Sequence, residues 1–252
     1  MSLGQGAPVL MLHGLANGNM ATWFSGYASP LSAQRQVLLY DQRGHGGSTL
    51  PKRGFDLDSQ ADDLVAVLDH YGLGQRPVDV VGHSMGALVA LHHALRTPSK
   101  VRRLVLVDAP MPAREFVAPS LLGAGSPEVL SDYIDSHLAA VAGLGGRRKE
   151  RLRQRLTALF FETSLVQDVL RMDAEPEAAL QALQVPTLLV YGRHSPCVAA
   201  GRQLARLLPN AQLVLLDCGH YIPEEAPAAL RTQLERFLEV PQVVAPQLAE
   251  AA

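Results

Sequence analysis

The chain has 252 residues, 48% of them apolar and 18% charged, and a formal net charge of −2. That length fits one α/β domain, with or without an insertion, and suffices to bury a large core. The charge balance gives nucleic acid or an anionic membrane no electrostatic reason to bind, so neither is expected as a partner.

No apolar run approaches the ~20 residues of a membrane helix. The N-terminal stretch lacks the basic and apolar regions of a signal peptide. A soluble, cytoplasmic protein is expected. The cysteines, Cys197 and Cys218, have no CxxC spacing, so two free thiols are expected rather than a disulfide framework or a metal site.

Six apolar runs recur along the chain, each bounded by turn residues: PVLMLHG (8–14), QVLLYDQRG (36–44), VDVVGHS (78–84), RLVLVDAP (103–110), PTLLVYG (186–192) and QLVLLDCGH (212–220). Near-continuous runs of this kind suit strands covered on both faces, as in a parallel sheet. Helical patterns lie between them. Residues 58–72 open acidic, align Leu64, Val67, Leu68 and Tyr71 on one face, and stop at Gly72. Residues 84–98 begin at Ser84 and stop at Pro98; residues 227–240 carry Pro in the first turn. The alternation predicts a doubly wound α/β fold with a mostly parallel sheet.

From Met111 to Gln184 no strand pattern is evident. Helical patterns at 127–142, 148–161 and 164–172 predict a helical insertion there. The expected organisation is a core of residues 1–110 and 185–240, an insertion of residues 111–184, and a loose tail of residues 241–252.

Four loops at the ends of these runs carry chemistry. GHSMG (82–86) follows a strand run and opens a helix, the context of a nucleophile elbow, with Ser84 lifted on a tight turn. LHGLANG (12–18) follows the first run. An oxyanion hole needs two converging N–H groups, and Met85 and Leu15 are the expected donors. His13 reads as a loop organiser or, less simply, a base. DCGHYIPEEAP (217–227) places His220 after the last run, where a general base can reach Ser84. YDQRGHGGS (40–48) is Gly-rich but lacks the G-K-[ST] ending of a phosphate loop; a turn organised by Asp41 and Arg43 is expected.

Taken together, these residues resemble the α/β-hydrolase fold superfamily, in the style of its lid-bearing esterases, C–C hydrolases and cofactor-free haloperoxidase-like members. GQGAPVLMLHG, YDQRGHGGS, VVGHSMGA, LVLVDAP and CGHYIPEEAP match the family's landmarks in order, over about residues 5–110 and 184–240. The resemblance implies that residues 111–184 form a helical cap over the site. It also implies that the N-terminal antiparallel strands of relatives are missing or shortened here.

There is one departure at the site. In relatives, the stretch matching GRHSP (192–196) has an Asp where Ser195 stands, and that Asp orients the His. A catalytic triad needs such a group to fix the imidazole tautomer and stabilise the imidazolium. Asp108, at the end of the fourth run, is the expected replacement, since some family members take their acid from this position. Otherwise Asp108 merely begins the insertion, and Asp217, Ser195 or His194 faces His220.

The implied activity is hydrolysis of a small carboxylic ester or thioester through an acyl-enzyme on Ser84. C–C cleavage, lactone opening, acyl transfer or perhydrolysis would use the same residues. A weakened hydrolase fold that only binds a hydrophobic ligand or a partner is the rival reading. No organic cofactor or metal is expected. The expected partner is a small ester-like substrate, with His13, Trp23, Phe24, Met111, Phe116 and Phe160 as candidate pocket residues. No oligomeric state follows from the sequence.

Overall fold

A computed structural model describes residues 1–15, 18–112, 125–137 and 146–239. Seven strands form one sheet: β1 (Ser2–Leu3), β2 (Ala7–Leu12), β3 (Arg35–Leu39), β4 (Val78–His83), β5 (Val101–Val107), β6 (Thr187–Gly192) and β7 (Ala211–Leu216). Their spatial order is β1-β3-β2-β4-β5-β6-β7. Every pairing is parallel except β1 with β3. The antiparallel strand β1 has two residues.

The apolar runs are continuous because both faces of the sheet are covered. Successive side chains of a strand point to opposite faces, and β2 shows the consequence. Leu10 and Leu12 join one core with Leu38, Val80, Leu104 and Leu189. Val9 and Met11 join the other with Val37, Val81, Val105 and Val190. The helices Leu57–His70, Met85–Arg96 and Val198–Leu207 cover the first face. The helical residues 21–31 and the helix Pro227–Glu239 cover the second. Strand β7, at the sheet edge, is only half-buried.

Local signals set the helix ends. The Asp56 carboxylate caps Leu57–His70 by accepting from Ser59 N at 2.8 Å. Gly72, at φ +70°, carries the chain out of that helix. Between β5 and β6 lie the helices Pro127–His137, Gly146–Phe161, Leu165–Arg171 and Glu177–Ala182. Leu130, Leu156, Leu159, Leu165, Val169 and Leu180 sink into the first core. Arg155 donates to the carbonyls of Gly44 (2.8 Å), His45 (3.1 Å) and Ser48 (2.7 Å), tying Gly146–Phe161 to the Gly-rich loop. No helix among the described residues is long and apolar enough to cross a membrane.

A buried ion cluster lies at the amino end of β4. Asp79 is fully buried and accepts from Arg35 (2.6 Å) and from Arg102 (2.8 and 2.5 Å); Arg103 is 3.8 Å away. Arg35 and Arg103 also donate to Leu238 O, which holds the last helix to the sheet. Removing the carboxylate takes away the counter-charge that these guanidinium groups share. Asp79→Ala is therefore expected to lower the unfolding free energy by about 3–5 kcal/mol. A urea midpoint within error of the parent would contradict this.

Candidate active site

The carboxyl ends of the parallel strands meet along one sheet edge, and the sequence-predicted loops meet there too. Ser84 follows β4, Asp108 follows the adjacent β5, and His220 lies four residues beyond the end of β7. The strand ladder extends beyond the strand ends at this edge. Ser84 N donates to Val107 O at 2.9 Å, and Asp108 N donates to Val190 O at 2.8 Å.

Ser84 and Asp108 are the described non-glycine residues with positive φ, at 53° and 50°. Such conformations cost of order 1–3 kcal/mol and persist where the surroundings fix them. Both are fixed by the ladder bonds just named. Ser84 occupies the position before the helix Met85–Arg96, where a serine commonly caps the helix. Its side chain makes no capping bond. It points instead at His220, with Oγ 2.9 Å from Nε2.

The elbow glycines have separate steric reasons. A Cβ on Gly82 would stand 2.2 Å from Gly86 O, and one on Gly86 would stand 2.4 Å from His13 O. The first lets the strand meet its own helix; the second lets that helix lie against the end of β2. Gly14 brings the loop after β2 against the nucleophile turn, since a Cβ there would sit 3.2 Å from Ser84 Cβ.

The carboxylate facing His220 is Asp108. Its Oδ2 lies 2.6 Å from His220 Nδ1, and Asp108 is fully buried. Its Oδ1 accepts from Gly192 N at 2.9 Å, and Ser195 Oγ donates to Oδ2. Ser195 Oγ in turn accepts from Cys197 N at 3.0 Å. Ser195 therefore binds the carboxylate, not the imidazole. Asp217 and His194 do not face His220 either. They pair with each other at 2.8 Å, with side chains 85% and 70% exposed.

Two groups that sequence reasoning missed hold His220 itself. The Glu225 carboxylate accepts from Gly219 N (2.6 Å) and Tyr221 N (3.1 Å), clamping the backbone on both sides of His220. His83 Nε2 donates to His220 O at 3.0 Å. Glu225 lies in PEEAP, where a carboxylate spaced to reach back toward the loop was a usable signal. His83 sits inside the elbow, but its bond spans residues far apart in sequence, and no local pattern announces it.

The candidate pocket residues fare differently. His13 is fully buried and organises its loop: Nε2 accepts from Gln42 N at 3.0 Å, so Nδ1 carries the proton and donates to Gly14 O at 2.7 Å. Trp23 is fully buried in the second core, edge-on to Tyr27 at 5.1 Å, and is core rather than pocket lining. Met111, four residues past the end of β5, and Phe160, on the helix Gly146–Phe161, are likewise buried in the first core, packed against other apolar side chains rather than facing an open pocket. Phe24 is 39% exposed at the surface. Phe116 lies outside the described residues. Leu15 is half-buried against the first core, and Met85 opens its helix, where the first N–H groups have no partner within the helix. The loop at 40–48 is organised by both expected residues. Asp41 accepts from Met20 N (2.8 Å) and Gly47 N (2.7 Å), and Arg43 pairs with Asp63 at 2.7 Å.

Burial holds several histidines neutral. It lowers His13 to about 3, and His45, His83 and His93 to about 4. Each takes up a proton at about 6.5 once unfolded. The unfolded chain therefore binds more protons between pH 6.5 and about 4, and stability falls as pH drops through that window. Urea unfolding midpoints should decline across it; a flat profile there would contradict the burial of these rings. Burial, reinforced by Asp108, also pushes the Cys197 thiol far up, so it is no nucleophile.

Comparison with known proteins agrees with this architecture. The family profile described as alpha/beta hydrolase fold matches residues 7–144, more than half of the chain. The chain is 33% identical to a pimeloyl-[acyl-carrier protein] methyl ester esterase of Chromobacterium violaceum, over 84% of this chain and 86% of that protein. It is 32% identical to the magnesium-chelatase 30 kDa subunit of Rhodobacter capsulatus, over 93% and 87% of the two chains. A solved hydrolase from Pseudomonas aeruginosa superposes with a TM-score of 0.76 at 25% identity, covering 95% of this chain and 93% of that one. The chain belongs to the alpha/beta hydrolase fold family.

Proposed function

We propose that the protein is a serine hydrolase that cleaves a small carboxylic ester or thioester through an acyl-enzyme on Ser84. One observation carries the reading. An unbroken hydrogen-bond line runs from Ser84 Oγ to His220 Nε2 (2.9 Å) and from His220 Nδ1 to the buried Asp108 Oδ2 (2.6 Å). The similarity to an esterase and to a solved hydrolase supports the reaction class.

His220 Nε2 takes the Oγ proton as Ser84 attacks the carbonyl carbon. Asp108 keeps the other ring proton on Nδ1 and stabilises the imidazolium that forms. The N–H groups of Leu15 and Met85 hold the oxyanion, and the positive end of the helix behind Ser84 favours the same charge. His220 then protonates the leaving alcohol or thiol. A water, deprotonated by the same ring, releases the acid and restores Ser84. The helices between β5 and β6 act as the cap that shapes the acyl site. A fluorophosphonate probe tests the reading: the parent should be labelled on Ser84 and Ser84→Ala should not. Absence of labelling in the folded parent would overturn it.

A further inference from the structure

Cys197 takes no part in the proposed reaction, yet it stands beside the bond on which that reaction depends. Its Sγ lies 3.7 Å from His220 Nδ1, the atom that also faces Asp108 Oδ2 at 2.6 Å. A thiol, an imidazole nitrogen and a carboxylate oxygen thus lie within 4.8 Å of one another. Among the described residues no other three His, Cys, Asp or Glu donors gather so closely. Local spacing could not show this, because residues 108, 197 and 220 come from three different strand ends.

We propose that Asp108, Cys197 and His220 form an inhibitory site for a divalent cation that accepts sulfur, nitrogen and oxygen donors together, zinc being the type. Tetrahedral zinc takes sulfur at about 2.3 Å and nitrogen or oxygen at about 2.0–2.2 Å, so its donors stand roughly 3.2–3.6 Å apart. The sulfur–nitrogen separation is already close to that. The oxygen–nitrogen separation must open by roughly 0.6 Å, which means the ion replaces the hydrogen bond rather than adding to it.

The charges balance. As the dication binds, Sγ gives up one proton to solvent, the ring exchanges its Nδ1 proton for one on Nε2 and stays neutral, and Asp108 binds as a carboxylate. A thiolate, a carboxylate and a dication sum to zero, which suits ligands as buried as Asp108 and Cys197. The cation's own charge drives the thiol to ionise despite its burial. His220, with a side chain 22% exposed, is the member reached from solvent.

The effect on chemistry follows from the tautomer. With the metal on Nδ1, the neutral ring carries its proton on Nε2. That nitrogen then donates to Ser84 Oγ and has no lone pair to accept the serine proton. Binding switches the hydrolase off without touching the nucleophile. The loss of rate rests on the function proposed above; the binding itself does not.

Two readouts keep these apart. Zinc should inhibit nitrophenyl ester hydrolysis by the parent reversibly, with recovery on chelation. Cys197→Ala and Cys197→Ser, each scaled to its own metal-free rate, should need roughly tenfold more zinc or above. Independently of activity, cadmium added to Ser84→Ala should give a thiolate-to-cadmium charge-transfer band, absent from the folded Ser84→Ala/Cys197→Ala protein. Equal zinc sensitivity in the Cys197 variants, or no band in Ser84→Ala, overturns the site.

Discussion

Ser84→Ala is expected to lower ester hydrolysis by about 10⁶ in kcat, leaving only the rate supplied by binding and the oxyanion donors. The size follows from position. Ser84 Oγ is the group hydrogen-bonded to His220 Nε2, and the strained elbow holds it there. Alanine removes the nucleophile but keeps the Cβ, so the positive φ is neither relieved nor worsened. The ladder bond from residue 84 N to Val107 O is a backbone bond and survives. Thermal stability should therefore stay close to that of the parent while turnover disappears. Burst kinetics with a nitrophenyl ester separate the two: the parent gives an acylation burst equal to the enzyme concentration, and Ser84→Ala gives none. Residual turnover above about a hundredth of the parent rate would mean that another group performs the attack.

Asp108→Asn is expected to lower kcat by about 10³–10⁴ with little change in KM. The carboxylate of Asp108 takes three donors: Gly192 N on Oδ1, and Ser195 Oγ and His220 Nδ1 on Oδ2. An asparagine has one acceptor oxygen. If Gly192 N keeps that oxygen, the amide NH₂ faces His220 and Ser195. The amide then donates to Nδ1, which fixes the ring proton on Nε2, the tautomer that cannot deprotonate Ser84. The variant also loses the negative charge that stabilises the imidazolium. Ser195 Oγ can reverse its role and accept from the new amide, so the fold has a way to absorb the change. A parent-like unfolding midpoint with a rate reduced about a thousandfold or more is the expected pairing.

Much of this arrangement was legible in the sequence. The strand runs are long and apolar because both sheet faces are covered, and all six appear as strands. The elbow announces itself because its glycines answer to contacts within a short stretch of chain and the neighbouring β2. His220 is legible for a similar reason, lying just past the last apolar run. What is not legible depends on partners distant in sequence. Position alone leaves Ser195 open as a neutral partner of His220, but the turn after β6 aims it at Asp108 instead. The positive φ of Asp108 follows from two ladder bonds and has no local signature, since neither Ala109 nor Pro110 demands it. The pocket residues are the hardest to read. A large apolar side chain near a loop satisfies core and pocket patterns equally, and Trp23, Met111 and Phe160 all go to the core. Glu225 is legible in principle, because the N–H groups it accepts from, on Gly219 and Tyr221, lie only six and four residues before it.

The position of the acid is the central claim, and steady-state hydrolysis of one nitrophenyl ester by Asp108→Asn and Ser195→Ala, side by side, tests it most directly. Asp108→Asn should cost about 10³–10⁴ in kcat. Ser195→Ala removes one bond to a carboxylate that Gly192 N still holds, so its rate should stay within about tenfold of the parent. If Asp108→Asn is the mild variant and Ser195→Ala the severe one, or if both lie within about tenfold of the parent, the carboxylate after β5 does not orient His220 and the account fails.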